Sequence, residues 1–312
     1  MLKSFWTAFL LLFAFLRPFP AQQAPAAPVE RLRASIERIT RSVSADWGVY
    51  IKSLETGEEI AINADRQMDT MSVIKIPLMT EVFAQVQAGK MTLDASYTLR
   101  QEDMLPGTGI LRSLDPGAVL TVKDLVTLMI IVSDNTATDV LYRMTGGPEA
   151  VNRRMEQLGL KYTRAPAPSR AWFEALRAAP GAEAFHRAAK NPYGLSTPRE
   201  TGRLLEMMER GELVDKPSSG LMLRILRGQL YRTRIPRYLS GFAIPHKTGD
   251  FPPYIGNDVG VLEAPGARII VSIFTANHFG SIERLEEAIG RVAEQAAAYF
   301  QYRSPAAAAQ NR

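Results

Sequence analysis

The 312-residue sequence contains no cysteine, which excludes disulfide bonds, thiol catalysis and thiolate metal sites. Histidine is almost as scarce, since only three are present and no two lie at the spacing of metal ligands. We therefore expect neither a metal nor any other cofactor. The sequence also lacks blocks of like charge, and its formal net charge of +5 is dispersed along the chain. Nucleic acid is accordingly not an expected partner.

The residues that are present fit a globular protein, because 46% are hydrophobic and 22% are charged. At the N-terminus, Lys3 precedes an apolar core from Phe5 to Leu16, and small residues with proline follow. This layout is typical of a secretory signal peptide, and the core is shorter than the roughly 20 residues that span a bilayer. We predict a signal peptide at residues 1–26, export to the periplasm or exterior, and no membrane span after processing. An uncleaved anchor is the alternative, because Arg17 follows the core directly.

Apolar periodicity places strands near both ends of the chain and helices in between. Amphipathic helices are predicted from Glu30 to Ser44 and from Ser281 to about Phe300. Helical patterns also dominate the middle, most clearly at 120–135 and 146–160. The predicted strands are 47–51, 59–62, 242–247, 257–262 and 268–275. This order predicts an α+β fold in which both ends of the chain form one sheet around a helical insertion.

A first chemical signal lies in the apolar run MSVIKIPLM, where Ser72 and Lys75 are the polar residues. Residues three apart share one face of a helix, so the lysine amine can reach the serine hydroxyl. Apolar surroundings lower the pKa of a lysine toward that of a base, and a serine nucleophile needs such a base. A snorkelling lysine and a capping serine would give the same pattern. Because Pro77 cannot donate an N–H to Val73, we also predict a distorted or 3₁₀-like helix just after Lys75.

Two further short motifs follow in the chain. Ser133-Asp134-Asn135 ends an apolar helical pattern, and Lys247-Thr248-Gly249 ends a strand pattern. Alone, each has an ordinary structural explanation as a turn or strand end. With the Ser-x-x-Lys pair they form an ordered set, in which 61 residues separate Ser72 from Ser133 and 114 separate Ser133 from Lys247. Such a set is hard to obtain by chance.

With these motifs the chain resembles the class A β-lactamase and penicillin-binding-protein family. The resemblance runs from about residue 30 to residue 300, and includes the segments GTGILRSLDPGAVLTVKDL, GLSTPRETGRLL and RIP. It implies an antiparallel five-stranded sheet flanked by helices, an all-α domain, and an active site in the cleft between them. The implied division is an α/β domain at 28–66 and 215–302, an all-α domain at 67–214 with a long loop at 161–197, and a disordered tail at 303–312.

The resemblance also implies catalytic roles. Ser72 would be the acylated nucleophile, Lys75 would take or relay its proton, and Ser133 would pass a proton to the leaving nitrogen. The backbone N–H groups of Ser72 and Asp250 would form the oxyanion hole.

Four further residues would contact the substrate or hold the catalytic groups. Asn135 would hold Lys75 and the side-chain amide of the substrate, while Lys247 and Thr248 would bind the substrate carboxylate. Arg234 matches an arginine that supports carboxylate binding in some family members. A surface salt bridge is the alternative explanation for Arg234.

Two features depart from the family pattern. In class A β-lactamases, a glutamate in the loop after the second motif activates the water that releases the acyl group, within a Glu-Pro-x-x-Asn pattern. This chain lacks that pattern, and the expected glutamate falls at Ser169. Glu174, a weak catalytic candidate, and Glu183 are possible substitutes. The second departure is Asp250, because a carboxylate beside an oxyanion hole opposes the developing charge unless it points away or is paired.

Three functions remain open from the sequence. They are an exported β-lactamase, a D,D-peptidase-like enzyme that acts on peptidoglycan, and a penicillin-binding receptor with little turnover. Intact motif residues argue against the receptor, and the class A spacing places the β-lactamase first. The expected partner is a small-molecule β-lactam or a peptidoglycan peptide, and the expected oligomeric state is a monomer.

Overall fold

The structure is a computed structural model that describes residues 28–178, 190–264 and 266–302. The predicted signal peptide at 1–26 and the predicted tail at 303–312 lie outside these ranges, as does Glu183. Within the described ranges, no helix has both the length and the apolar character needed to cross a membrane.

The described ranges form nine strands and nine α-helices, an α+β architecture as predicted. The strands are β1 (Asp46–Ser53), β2 (Glu59–Ile62), β3 (Met68–Asp69), β4 (Ser96–Thr98), β5 (Val119–Thr121), β6 (Leu195–Ser196), β7 (His246–Phe251), β8 (Ile255–Ala264) and β9 (Ala267–Ala276). The helices are α1 (Pro28–Arg41), α2 (Lys75–Gln87), α3 (Val122–Ile131), α4 (Asn135–Thr145), α5 (Gly147–Gln157), α6 (Ser169–Arg177), α7 (Pro198–Arg210), α8 (Lys216–Arg227) and α9 (Ile282–Tyr302).

The central sheet has five strands in the order β2-β1-β9-β8-β7. Every neighbouring pair is antiparallel, and β1 pairs with β9 from Asp46 opposite Ala276 to Ser53 opposite Ile269. The sheet therefore joins strands from both ends of the described chain, which confirms the predicted five-stranded antiparallel sheet. Strand β7 forms one edge of the sheet, and this edge carries the Lys-Thr-Gly motif.

Helices cover both faces of the sheet, so its inner strands are apolar on both sides. Along β9, Ile269, Val271 and Ile273 pack in a core with α1 and α9. Ile270 and Phe274 alternate with them and pack in a second core with α2 to α5, α7 and α8. This second core supports the helices that carry the first two motifs. The division into two domains at the boundaries given above stays a prediction.

Side-chain caps determine where two helices near the motifs begin. At the start of α3, Thr121 Oγ1 accepts the N–H of Asp124, and the Asp124 carboxylate accepts the N–H of Thr121. At the start of α4, the Asp134 carboxylate accepts the N–H of Ala137. Caps of this kind are each worth about 1 kcal/mol. The cap on α4 holds the Ser-Asp-Asn motif at the first turn of that helix.

Two details of the backbone differ from the predictions. The 3₁₀ turn lies at Met71–Ile74, before Lys75 rather than after it, and α2 continues from Lys75. Pro77 is the third residue of α2, and in this first turn the N–H groups have no helical partner to lose. The strand predicted from Phe242 begins only at His246, because the preceding residue is a proline and cannot donate to a sheet.

Candidate active site

The three sequence motifs meet at one cleft with a volume of about 490 Å³. Ser72, Ser133 and Thr248, one from each motif, all line this cleft. The cleft also has an apolar wall that consists of Trp172, Phe173, Leu176, Tyr193 and Phe251. The structure thus brings together a hydroxyl from each of three distant segments beside an aromatic surface.

Ser72 lies in the 3₁₀ turn that precedes α2, and strand β7 approaches this turn closely. A Cβ atom at Gly249 would lie only 2.3 Å from Thr70 O and 3.1 Å from the backbone nitrogen of Ser72. Only glycine fits there, since real Cβ atoms do not approach other atoms that closely. Met71, directly before Ser72, has φ of 46°, a left-handed conformation that is uncommon for a residue with a side chain. The close approach places the β7 backbone beside Ser72.

Lys75 is fully buried at the start of α2. Its Nζ donates to Ser133 O at 2.8 Å, to Ser133 Oγ at 3.1 Å and to Asn135 Oδ1 at 2.8 Å. Burial, and after it the nearby charge of Lys247, hold the pKa of Lys75 well below its usual range. A lowered pKa shifts a lysine toward its neutral form, and only the neutral amine can take a proton.

The Ser-Asp-Asn turn is held in an unusual conformation by its neighbours. Ser133 has φ of 55°, and the hydroxyl of Thr108 donates to Ser133 O at 2.7 Å. The Asp134 carboxylate accepts the N–H groups of Ile110 at 2.7 Å and Leu111 at 2.9 Å. These contacts fix the segment 108–111 against the Ser-Asp-Asn turn. They keep the Ser133 hydroxyl between the two lysines.

Lys247 reaches the same hydroxyl from strand β7. Its Nζ donates to Ser133 Oγ at 3.1 Å and to Thr248 O at 2.9 Å. Burial lowers the pKa of Lys247 to about 8, so the side chain is mainly protonated at pH 7. Thr248 Oγ1 is buried and has no hydrogen-bond partner among the described residues. A buried hydroxyl without a partner, on the wall of a cleft, is a place where a ligand group can bind.

Arg234 is buried, contrary to the alternative of a surface salt bridge. Its guanidinium donates to Asn257 O at 2.8 Å, to the carboxylate of Asp250, and to Glu286 Oε1 at 3.2 Å. Asp250 is therefore paired, which resolves the conflict that its charge poses beside the cleft. Asp250 and Glu286 also line the cleft, and within the described ranges they are its only acidic lining residues.

The position of the expected glutamate is occupied by a small buried residue. Ser169 begins α6, and its hydroxyl lies 2.6 Å from the hydroxyl of Tyr193. Its N–H donates to the Asp139 carboxylate at 2.7 Å. Four residues later, where the pattern has an asparagine, Phe173 lines the cleft with its ring. This part of the cleft thus has neither the carboxylate nor the amide of the family pattern.

Glu174, the candidate substitute for the missing glutamate, does not line the cleft. It is exposed and lines a separate groove with Asp139, Tyr142 and Arg170, on the far side of α6 from the cleft. Trp172, Phe173 and Leu176 lie on the helix face that lines the cleft, and that face excludes residue 174. The phase of α6 therefore turns the Glu174 side chain outward, and a catalytic role for it stays a prediction that this position does not support.

Two structural carboxylates near the site were missed from the sequence. Asp69 accepts the N–H of Met71 at 2.9 Å and that of Tyr193 at 3.1 Å, and burial raises the pKa of its carboxyl to about 6. Asp139 accepts the N–H groups of the first two residues of α6. Neither aspartate belongs to a motif. Asp69 joins Tyr193, and Asp139 joins Ser169, across 124 and 30 residues of the chain, and no local pattern predicts such long-range partners.

The described part of the chain contains no group of three or more histidine, aspartate and glutamate side chains that could hold a metal ion. His246 is buried on the side of β7 opposite the cleft lysine, and its Nδ1 lies 2.9 Å from Asp258 Oδ1. The chemistry of the cleft thus rests on hydroxyl, amine and amide groups.

Comparison with known proteins agrees with this site. A sequence model of the β-lactamase enzyme family matches residues 31–300. β-Lactamase VEB-1 from Pseudomonas aeruginosa is 24% identical over 86% of this chain and 90% of that protein. The structure of a β-lactamase from Sphaerobacter thermophilus is 30% identical, with a TM-score of 0.74 over 88% of this chain and 97% of that one. The structure of PBP-A is 25% identical, with a TM-score of 0.76 over 89% of this chain and 98% of that one. A mutant of PBP-A was solved as an acyl-enzyme complex with penicillin G.

The chain therefore belongs to the β-lactamase enzyme family, and it is a serine hydrolase of the β-lactamase type. The family resemblance drawn from the three motifs is confirmed. The roles of the individual site residues are a separate matter and are proposed below.

Proposed function

We propose that the protein opens the β-lactam amide by forming an acyl-enzyme at Ser72. The observation that carries this proposal is the buried, hydrogen-bonded chain from Lys75 through Ser133 to Lys247, on the wall of the cleft that Ser72 lines. The β-lactamase relatives support this activity over the peptidase and receptor alternatives.

In the proposed acylation, the Ser72 hydroxyl attacks the β-lactam carbonyl while Lys75 takes or relays its proton. The lowered pKa of Lys75 suits this role, because a neutral amine accepts a proton where an ammonium cannot. The proton then passes through Ser133, whose hydroxyl lies 3.1 Å from Lys75 Nζ, to the leaving nitrogen. The backbone N–H groups of Ser72 and Asp250 stabilise the negative charge that develops on the carbonyl oxygen.

Substrate binding is proposed to use the remaining groups of the cleft. Thr248 Oγ1 and the Lys247 ammonium bind the carboxylate of the substrate, in keeping with the missing partner of that hydroxyl. Asn135 positions Lys75 through its Oδ1 and contacts the amide of the substrate side chain. The leader-like residues 1–26 support the further proposal that the protein is exported to the periplasm or beyond.

The proposal is tested by mixing the purified protein with a chromogenic cephalosporin and following both ring opening and the mass of the protein. The expected result is a covalent adduct on the peptide that contains Ser72, together with measurable ring opening. Ring opening without any adduct would contradict a mechanism through an acyl-serine.

Replacing Lys247 is expected to discriminate between anionic and neutral substrates. Lys247→Ala should slow acylation by free penicillin G roughly 10- to 100-fold, because a charge-assisted hydrogen bond to the carboxylate is lost. Acylation by the neutral methyl ester should slow much less. The measurement is the ratio of the two acylation rate constants in the wild type and the variant. An equal loss for both substrates would indicate a structural or proton-transfer role instead.

The pH profile of the wild type provides the control for this prediction. Lys247 has a pKa of about 8, so its positive charge is present below that pH and is lost as the pH rises through it. The ratio of free-acid to ester acylation should therefore fall above about pH 8 in the wild type and stay flat in Lys247→Ala. Using the ratio cancels the titration of Lys75, which affects both substrates alike.

A further inference from the structure

Arg234 has an arginine's capacity to bind a carboxylate, but both of its terminal nitrogens already donate hydrogen bonds. Its Nε has no hydrogen-bond partner among the described residues, but this atom is buried and is not open to the cleft. One terminal nitrogen donates to Asn257 O, and the other donates to Asp250 and to Glu286. Only 4% of the Arg234 side chain is exposed. A carboxylate that enters the cleft can reach this guanidinium only by displacing one of the two carboxylates of the protein.

Asp250 is the carboxylate that a substrate carboxylate would have to displace from Arg234. Residues two apart on a strand point to the same side, so Thr248 and Asp250 both face the cleft from β7, about 7 Å apart along the strand. Asp250 is the more accessible of the two carboxylates, with 33% of its side chain exposed against 17% for Glu286. A substrate carboxylate on Thr248 therefore has the Asp250 carboxylate as its neighbour.

The charges at this end of the cleft do not balance. One guanidinium, that of Arg234, faces the carboxylates of Asp250 and Glu286, which leaves a single net negative charge. Lys247 precedes Thr248 in the strand, whereas Asp250 follows it, and the Lys247 ammonium donates a hydrogen bond to Thr248 O. An anion bound at Thr248 is thus attracted by Lys247 and repelled from the Asp250 end, over distances at which partly buried charges interact strongly.

We propose that Asp250 is a specificity determinant that competes with the substrate carboxylate for Arg234, and so disfavours β-lactams with a free carboxylate relative to neutral ones. The proposal rests on the proposed function, since it assumes acylation at Ser72. It assigns Asp250 a side-chain role that is independent of its backbone N–H. The Asp250 carboxylate binds the Arg234 guanidinium as a substrate carboxylate otherwise would.

The test is to compare Asp250→Asn with the wild type on free penicillin G and on its neutral methyl ester. Asparagine keeps the shape of the side chain and a carbonyl oxygen for Arg234, but removes the negative charge. The acylation rate constant for the free acid should rise about tenfold, an effect expected of one nearby like charge that is partly screened by water. The rate constant for the ester should rise less than that for the free acid, because the ester carries no charge to be repelled, so the ratio of the two rate constants reports the effect of the charge.

Two further proteins make the result decisive. Asp250→Ser, a smaller side chain without charge, should shift the ratio in the same direction. Glu263→Gln, which removes a carboxylate paired with Arg227 outside the cleft, should leave both rates unchanged. An unchanged or lower free-acid rate in both Asp250 variants, with the adduct still forming at Ser72, overturns this inference and leaves the proposed function standing. No adduct at Ser72 on any of the proteins overturns the proposed function, and this inference with it.

Discussion

Ser72→Ala should abolish the covalent adduct with penicillin while leaving the fold intact. The hydroxyl is the only group that the substitution removes, and in the proposed mechanism its oxygen forms the ester. Ser72 lies in the short 3₁₀ turn and is only half-buried at the cleft wall, so alanine neither opens a large cavity nor removes a buried partner. The measurement is the intact mass of the protein after incubation with penicillin, with circular dichroism to verify folding.

The matched control is Ser219→Ala, a buried serine of α8 that does not line the cleft. Its hydroxyl has no hydrogen-bond partner in the described ranges, so its removal should leave both folding and acylation unchanged. An adduct of normal mass on Ser72→Ala would refute Ser72 as the nucleophile. Loss of the adduct in Ser219→Ala as well would show that the assay reports folding rather than chemistry.

The features that the sequence predicted correctly are those that follow from local chemistry. An apolar run around Lys75 predicts burial, and burial predicts a lowered pKa. Short apolar runs predict the inner strands of the sheet, because a strand that helices cover on both faces is apolar on both sides. By contrast, the meeting of Lys247 and Ser133, which are 114 residues apart, became predictable only through resemblance to a family.

Tertiary placement could not be derived in the same way. The pairing of Arg234 with Asp250 depends on where β7 lies relative to the short helical turn that follows Arg234. The sequence around either residue does not indicate which residue it pairs with. The outward direction of Glu174 depends on the phase of α6, which the Asp139 carboxylate fixes by accepting the N–H of Ser169. A single residue of shift along that helix would have turned a different side chain toward the cleft.

Deacylation should be slow in this protein, and a carboxylate at residue 169 should accelerate it. A water that attacks the acyl-Ser72 ester needs a base within about 3 Å, directly or through one water. The acidic residues that line the described cleft, Asp250 and Glu286, are both bonded to Arg234. The wall near Ser169 is formed by Phe173 and other aromatic rings, which offer no proton acceptor. Penicillin should therefore acylate the protein readily, and the adduct should persist.

Ser169→Glu tests this account by supplying the base. The Ser169 hydroxyl already contacts the hydroxyl of Tyr193, which lines the cleft, and a glutamate side chain extends further in that direction. A positioned general base contributes about 100-fold or more, so the rate of adduct loss should rise by about that factor. Ser169→Gln has the same shape without the charge and should not accelerate adduct loss, and Glu174→Gln should leave the slow wild-type rate unchanged. Rapid steady-state hydrolysis by the wild type that survives removal of both Glu174 and Glu183 would refute the account, because it would require a base other than Lys75, and the acidic residues that line the described cleft are both bonded to Arg234.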